Sequence, residues 1–266
     1  MSFYEVKANL CLDKLQVWFL ANKLSLNIEK TCYTLFTSKS DKNCYSMNLL
    51  IGGQTIMKVP SCKYLGVFVD EKLLWDVHIN YIYNKLVKFS SIFYKTRHLL
   101  PLACLKKLYF AFVFPHISFG IEVYANTNKV RLEKLSKLNN KLIRILLNKK
   151  ISTPVLELYK LMNVLPIKQL HEMQLLQFVH KCLYHKGLLP DIFHNYFAYM
   201  HSVHCHNTRS NCDLFLSRAK SNLGQRCCVY KCSQLWNSLP VDIKSNSSVS
   251  IFKKDVKKYL FNCLIV

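Results

Sequence analysis

Eight side chains between positions 201 and 232 are of the types that hold zinc: His201, His204, Cys205, His206, Cys212, Cys227, Cys228 and Cys232. Imidazole nitrogen and thiolate sulfur are zinc's usual donors, and four of them converging would staple this stretch. Their spacing argues against it. The chain contains no C-x-x-C pair, and none of the intervals matches a finger or knuckle, so ordinary polar or buried residues are expected here. His171-Glu172 begins like the HExxH of zinc proteases, but position 175 is leucine, so the i, i+4 ligand pair of a helix is missing. Two-metal phosphoryl transfer would need carboxylates converging on two divalent cations. The one adjacent acidic pair is Asp70-Glu71. Asp70 and Asp76 flank a strand-to-helix turn, where a carboxylate ordinarily caps the helix. There is no Walker loop and no G-x-S-x-G. From the residues alone, no complete active site is visible.

Basic rows are the positive signal. Lys85, Lys88 and Lys95 fall roughly opposite an apolar stripe of Ile79, Ile82, Leu86, Phe89 and Phe93, spaced three and four apart. Over residues 129–147 the arrangement repeats: Leu135, Leu138, Leu142 and Ile145 form the stripe, and Lys134, Lys137, Lys141 and Arg144 line another face. A single such row is ordinarily just a solvated face. Two of them, in a 266-residue chain with 37 Lys and Arg against 15 Asp and Glu, point to binding. A formal charge of +22 repels itself unless a polyanion offsets it. Nucleic acid is the first partner to consider, and an anionic membrane surface the second.

The elements that must position these rows divide the chain. Residues 4–24 read as one amphipathic helix with Leu12, Leu15 and Phe19 on one side, and 31–37 as a strand. Residues 45–58 read as a hairpin turning at Gly52-Gly53, and SCKYLGVFVD (61–70) as a further strand. Lysine, aromatic and glycine there suit close approach to a nucleic-acid backbone. The first 70 residues are thus mixed and antiparallel. Helix dominates afterwards, including segments near 154–162 and 167–185 behind Pro154 and Pro166. Residues 186–247 read as irregular, and SIFKKDVKKYL (250–260) as a closing basic helix. The N-terminus MSFYEVKANLCLDK has no apolar core of signal-peptide length, so an intracellular protein of cytoplasm or nucleus is expected, not a secreted one. Its 12 cysteines are then expected as free thiols. YFAFVFPHISFGIEVY (109–124) is too short to span a bilayer and reads as a buried helix and turn.

Several motifs resemble the closing part of reverse transcriptases from non-LTR (LINE-type) retrotransposons: LSLNIEKT (24–31), KYLGVFVDEKLLWDVHI (63–79) and LLPLACLKKLYFAFVFPHISFG (99–120). HNTR (206–209), GQRCCVY (224–230), WNSLPVDIK (236–244) and the final basic helix resemble the region after the thumb. The order is collinear over nearly the whole chain. One departure is Tyr124, where these elements often carry tryptophan. The resemblance implies that Lys30 approaches the incoming nucleotide, and that Lys63, Tyr64, Leu65 and Gly66 form a primer-grip hairpin. It implies a thumb from Trp75 to about Leu147, riding on the template–primer duplex.

The expected fold is α+β: a small antiparallel palm remnant over 1–70, a mainly α-helical thumb-like bundle over 71–150, and a helical and irregular C-terminal region over 151–266. The family's metal-binding aspartates precede the helix that begins here near Tyr4. The resemblance therefore implies a truncated polymerase with residual, non-specific binding of RNA–DNA hybrid or duplex, no activity of its own and no bound cofactor, since the ligands for the family's Mg²⁺ are absent. Two alternatives stand beside it: a domesticated module that binds a protein partner, and a segment that complements a separately encoded palm.

Overall fold

Helix-forming runs and short β-branched runs separate cleanly along the chain, in a computed structural model that describes residues 3–37, 46–203 and 213–264. The chain folds as two units, Met1–Asn80 and Tyr81–Val266.

The first unit opens with α1 (Phe3–Ala21), followed by a 3-10 turn at Ile28–Lys30. Among the described residues three two-stranded sheets follow. β1 (Cys32–Tyr33) pairs in parallel with β4 (Met57–Lys58), while β2 (Leu50–Ile51) and β3 (Gln54–Thr55) form an antiparallel hairpin. β5 (Ser61–Tyr64) and β6 (Val67–Asp70) form a second hairpin. The first of these turns is the one expected from Gly52-Gly53, whose φ angles of 60° and 75° suit a mirror-image turn.

Three expectations need correcting here. The segment 31–37 contributes only two strand residues, and their pairing is parallel rather than antiparallel. SCKYLGVFVD is a hairpin, not one strand: Gly66 occupies the turn, which relieves the glycine of any role inside a ladder. And α1 is not amphipathic in the expected sense. Its half-buried face is Glu5, Ala8, Asn9, Leu12, Gln16 and Phe19, whereas Phe3, Tyr4, Leu10, Leu15, Val17, Trp18 and Leu20 are exposed. The polar residues on the inner face reach the backbone beside β2. Glu5 Oε1 accepts from Asn48 N–H at 2.9 Å, Asn9 exchanges bonds with Asn48 C=O and Leu50 N–H, and Gln16 Oε1 accepts from Gly52 N–H at 2.8 Å. An otherwise open strand edge is thereby covered by side chains.

α2 (Asp76–Val87) carries the chain from the first unit into the second. Ile79, Ile82, Leu86 and Phe93 are buried as the stripe requires. The helix breaks at Lys88, however, and resumes as α3 (Phe89–Thr96), which leaves Phe89 only half-buried. Then come α4 (Leu102–Phe112), α5 (Phe114–Ser118), α6 (Ile121–Tyr124) and α7 (Lys129–Leu146). Residues 109–124 are indeed buried helix and turn: Tyr109, Val113, Ile117, Ile121 and Tyr124 each expose 1% or less, so they face protein rather than lipid. Among the described residues no helix is long and apolar enough to cross a membrane. Tyr124 is fully buried, its hydroxyl donating to Ile117 C=O at 2.5 Å.

α8 (Val155–Met162) and α9 (Ile167–Tyr184) start behind Pro154 and Pro166, each proline occupying the cap position with an extended ψ. α9 is the central post of this unit, packing against α5 and α6 and against helices from the C-terminal part. That part is less irregular than expected. After α10 (Met200–Val203) and α11 (Asn222–Gln225), α12 (Cys228–Asn237) buries Cys232 and Trp236 against α9. α13 (Val241–Lys244) leads to α14 (Val249–Asn262), the expected basic helix, which buries Phe252, Val256 and Leu260.

Candidate nucleic-acid interface

The candidate residues fall in both units, and each set is described by itself. In the first unit, Lys30 is exposed at the end of the 3-10 turn, its N–H donating to the Oδ1 of Asn27 at 3.1 Å. The β5–β6 hairpin pairs Tyr64 with Val67 and Lys63 with Phe68 across a two-residue turn. Leu65 and Gly66 both have positive φ, 45° and 90°. Glycine adopts this at no steric cost, but a leucine held there costs about 1–2 kcal/mol. Tyr64 and Leu65 are 66% and 77% exposed, so the tip projects an aromatic and an apolar side chain into solvent. The Lys63 ammonium lies over the Phe68 ring, 5.8 Å from its centroid.

Two groups fix this hairpin to the start of α2. Buried His78 accepts the outward N–H of Phe68 through Nδ1 at 3.3 Å, and burial lowers its pKa to about 4, so the ring is neutral at physiological pH. Asp70 accepts from the N–H groups of Leu74 and Trp75, both at 2.8 Å. Those bonds span a turn in which Leu73 and Trp75 are left-handed, with φ of 49° and 68°. Asp70 therefore closes the turn between β6 and α2 through these two backbone bonds, ahead of the first residue of the helix.

In the second unit, Lys134, Lys137 and Lys141 are all exposed along α7, and Lys85, Lys88 and Lys95 are exposed along α2, at the break and on α3. α3 packs on α7, and the Lys134 ammonium lies 4.3 Å from the centroid of Tyr83 on α2. Lys85 lies over Tyr81 at 4.6 Å, and Arg97 over Tyr94 at 4.1 Å. Each such contact is worth about 0.5–1 kcal/mol at an exposed site, enough to aim a flexible lysine without burying its charge. Lys137 also pairs with Glu133 at 2.8 Å, an exposed pair easily exchanged for a phosphate. Arg144 differs from the others: it is half-buried, and Nη2 donates to Thr153 C=O, tying α7 to the approach of α8. Sequence reasoning missed Tyr81, Tyr83, Tyr94 and Arg97. The i, i+4 spacing of Tyr81 and Lys85 and the i, i+3 spacing of Tyr94 and Arg97 were the available signal.

α7 is held rigidly enough to present a row. Its stripe buries Leu135, Leu138 and Leu142, joined by Ile143 and Leu146, while Ile145 is only half-buried. Asn139 is also buried there, between two tyrosines: Tyr109 donates to its Oδ1 at 3.0 Å, and its Nδ2 donates to the Tyr159 hydroxyl at 2.9 Å. Tyr159 donates onward to Asn140 Oδ1 at 2.7 Å. Burial pushes both phenols well above their usual pKa, so neither ionises.

The metal readings resolve separately. His171 is buried on α9 with Lys231 Nζ 3.3 Å from Nδ1, and its pKa is lowered to about 3 by burial and by that ammonium. Of the eight residues with zinc-binding side chains, His204, Cys205, His206 and Cys212 lie outside the described residues, as does HNTR (206–209). Cys228 and Cys232 approach to 3.6 Å. Among the described residues, no group of three or more His, Cys, Asp or Glu is arranged to hold a metal ion.

No family model matches this chain, and no solved structure matches it. Two curated proteins do. The RNA-directed DNA polymerase from mobile element jockey of Drosophila melanogaster is 29% identical over 136 residues, and that of Drosophila funebris is 27% identical over 137. Each match covers 50% of this chain and 14% of the relative, so the chain spans a small part of the proteins it matches. The resemblance carried by its motifs is thus borne out over half of the chain, which is similar there to the RNA-directed DNA polymerases of jockey, a non-LTR retrotransposon.

Proposed function

We propose that this chain corresponds to the end of the palm, the thumb and the C-terminal region of a non-LTR reverse transcriptase, and that it binds duplex or RNA–DNA hybrid without sequence preference, in the cytoplasm or nucleus. The observation that carries this reading is the basic row of the second unit, Lys134, Lys137 and Lys141 exposed along α7, with Lys134 seated over Tyr83. Such a surface gains affinity by releasing condensed counterions from phosphates, and it reads no bases. The hairpin tip at Tyr64 and Leu65 supports the same reading in the first unit, since a primer-grip role needs an exposed tip on a firmly seated turn.

Polymerisation is not part of the proposal. These 266 residues contain no paired-aspartate turn, and Asp70, at the end of β6, is engaged by two backbone N–H groups. Without two metals, nothing stabilises the charge of the transferring phosphoryl group. The decisive experiment measures binding of the full chain to a labelled RNA–DNA hybrid over a salt series, beside primer extension with Mg²⁺. Affinity falling steeply with salt, and no extension, is the expected result. Salt-independent binding, or none at low salt, overturns the binding part, and extension by the isolated chain overturns the rest. A second reading, a domesticated protein-binding module, draws on the exposed apolar residues of α1. It predicts partners that survive nuclease treatment.

A further inference from the structure

The second unit holds a cavity that duplex binding does not use. It opens among α4, α5, the turn between α8 and α9, α9 itself and α14, and has a volume of about 570 Å³. Small-molecule sites run from roughly 300 to 1,000 Å³, so this is space for a ligand and not for a water or two. Its floor is apolar, with Val164, Leu165 and Leu170 all buried. One wall is aromatic: Phe110 and Phe114, one helical turn apart across the α4–α5 junction, have centroids 5.4 Å apart at an interplanar angle of 57°. Phe110 remains 43% exposed, so part of its ring is open to an occupant of the cavity.

Charge completes the description. Lys106, Lys253 and Lys257 line the cavity, and among the described residues no carboxylate does. Lys257 is half-buried and uses one of its three N–H donors on the Asn163 carbonyl at 2.7 Å. Burial and the neighbouring Lys253 lower its proton affinity, a tension that an anion placed between the two would relieve. Three cations around an aromatic and apolar interior complement a ligand with a flat ring at one end and a multiply charged anion at the other.

We propose that this cavity takes an unpaired nucleotide, its base against Phe110 and Phe114 and its phosphate among Lys106, Lys253 and Lys257. A base offers a π-face to aromatic side chains whatever its identity, so the site is expected to be tolerant of sequence. The inference concerns the second unit alone and stands or falls separately from the basic surface around α7.

Titration calorimetry of the full chain tests it, with adenosine 5′-monophosphate, inorganic phosphate, a short single-stranded oligoadenylate and an acidic, apolar peptide as probes. The nucleotide is expected to bind at least ten-fold more tightly than phosphate. Oligoadenylate is expected to displace it, which would identify the ligand as part of a strand. Binding without displacement assigns a free nucleotide and overturns the strand origin. Both Lys106→Gln/Lys253→Gln and Phe110→Leu should weaken nucleotide binding five-fold or more, and these partly exposed positions leave the fold intact by circular dichroism. Phosphate binding as tightly as the nucleotide overturns the proposal, and so does nucleotide binding that neither variant weakens. A peptide that binds where the nucleotide does not shows a protein-docking groove instead. Hybrid binding lost by α7 variants that still bind the nucleotide keeps the two readings distinct.

Discussion

Replacing Lys134, Lys137 and Lys141 together by glutamine should flatten the salt dependence of hybrid binding by a calculable amount. The three lysines are exposed and follow one another at intervals of three and four residues. At about 1.5 Å of rise per residue they span roughly 10.5 Å of helix axis, while phosphates on one strand of a duplex repeat about every 3.4 Å along its axis. Each ammonium can therefore meet its own phosphate. Every phosphate neutralised contributes about −0.9 to the slope of log K against log salt, so losing three should make the slope less negative by about 2.7. Between 50 and 200 mM salt that removes roughly forty-fold of the unmodified chain's loss in affinity. The Glu133 pair does not rescue Lys137, because an exposed pair of this kind is worth only about 0–1 kcal/mol. Fluorescence anisotropy of a labelled hybrid at several salt concentrations reads the slope. A control variant with the exposed Lys160, Lys254 and Lys258 changed to glutamine loses the same net charge from other helices. If the control flattens the slope equally, or the α7 variant changes it by less than about one, the row is only a solvated face.

Three further outcomes follow from the site's supports. Asn139→Ala should destabilise the second unit by about 2–4 kcal/mol in a urea titration, since it strands the Tyr109 hydroxyl in the core; adding Tyr109→Phe should recover part of that loss. Leu65→Asn should stabilise the first unit by about 0.5–1 kcal/mol, because asparagine tolerates the left-handed angle and is favoured before glycine in this turn; no gain in thermal midpoint would contradict the strain assigned to Leu65. His78 has a folded pKa of about 4 against 6.5 unfolded, so the unfolded chain binds more protons between those values. Its contribution is present above pH 6.5 and is lost as pH falls from 6.5 to 4. An NMR titration of the ring with a midpoint near 6.5 in the folded protein would sink that account.

Helical stripes were legible because period and burial agree: Leu135, Leu138 and Leu142 had to face one way, and the lysines between them another. The break at Lys88 was not, since no proline or glycine marks it and the three-and-four spacing continues through it. The β5–β6 hairpin was hidden for a related reason. Its turn begins with leucine, which reads as strand, and only Gly66 hints at a reversal; the motif resemblance supplied the hairpin that alternation did not. Pairing partners are the least local information of all. That β1 meets β4 in parallel depends on the path of the intervening chain, which no two-residue strand encodes. Among the candidate residues, the exposed lysines were legible and the rings beneath them were not, because a tyrosine at helical spacing reads as core until its neighbour is known.

The seating of α1 has a thermodynamic consequence. Its attachment to the β2 hairpin relies on directional bonds from Glu5, Asn9 and Gln16 to backbone N–H and C=O groups, while Phe3, Val17 and Trp18 stay wet whether or not the helix is docked. Undocking would uncover the half-buried Ala8, Leu12 and Phe19 and the β2 residues they face, a small part of the unit's apolar area, and so carry a denaturant m-value and a heat-capacity change well below those of full unfolding. A urea melt would pass over such an opening almost unseen. Amide hydrogen exchange at Asn48, Leu50 and Gly52 would register it directly, because those three N–H groups lose their partners the moment the helix lifts.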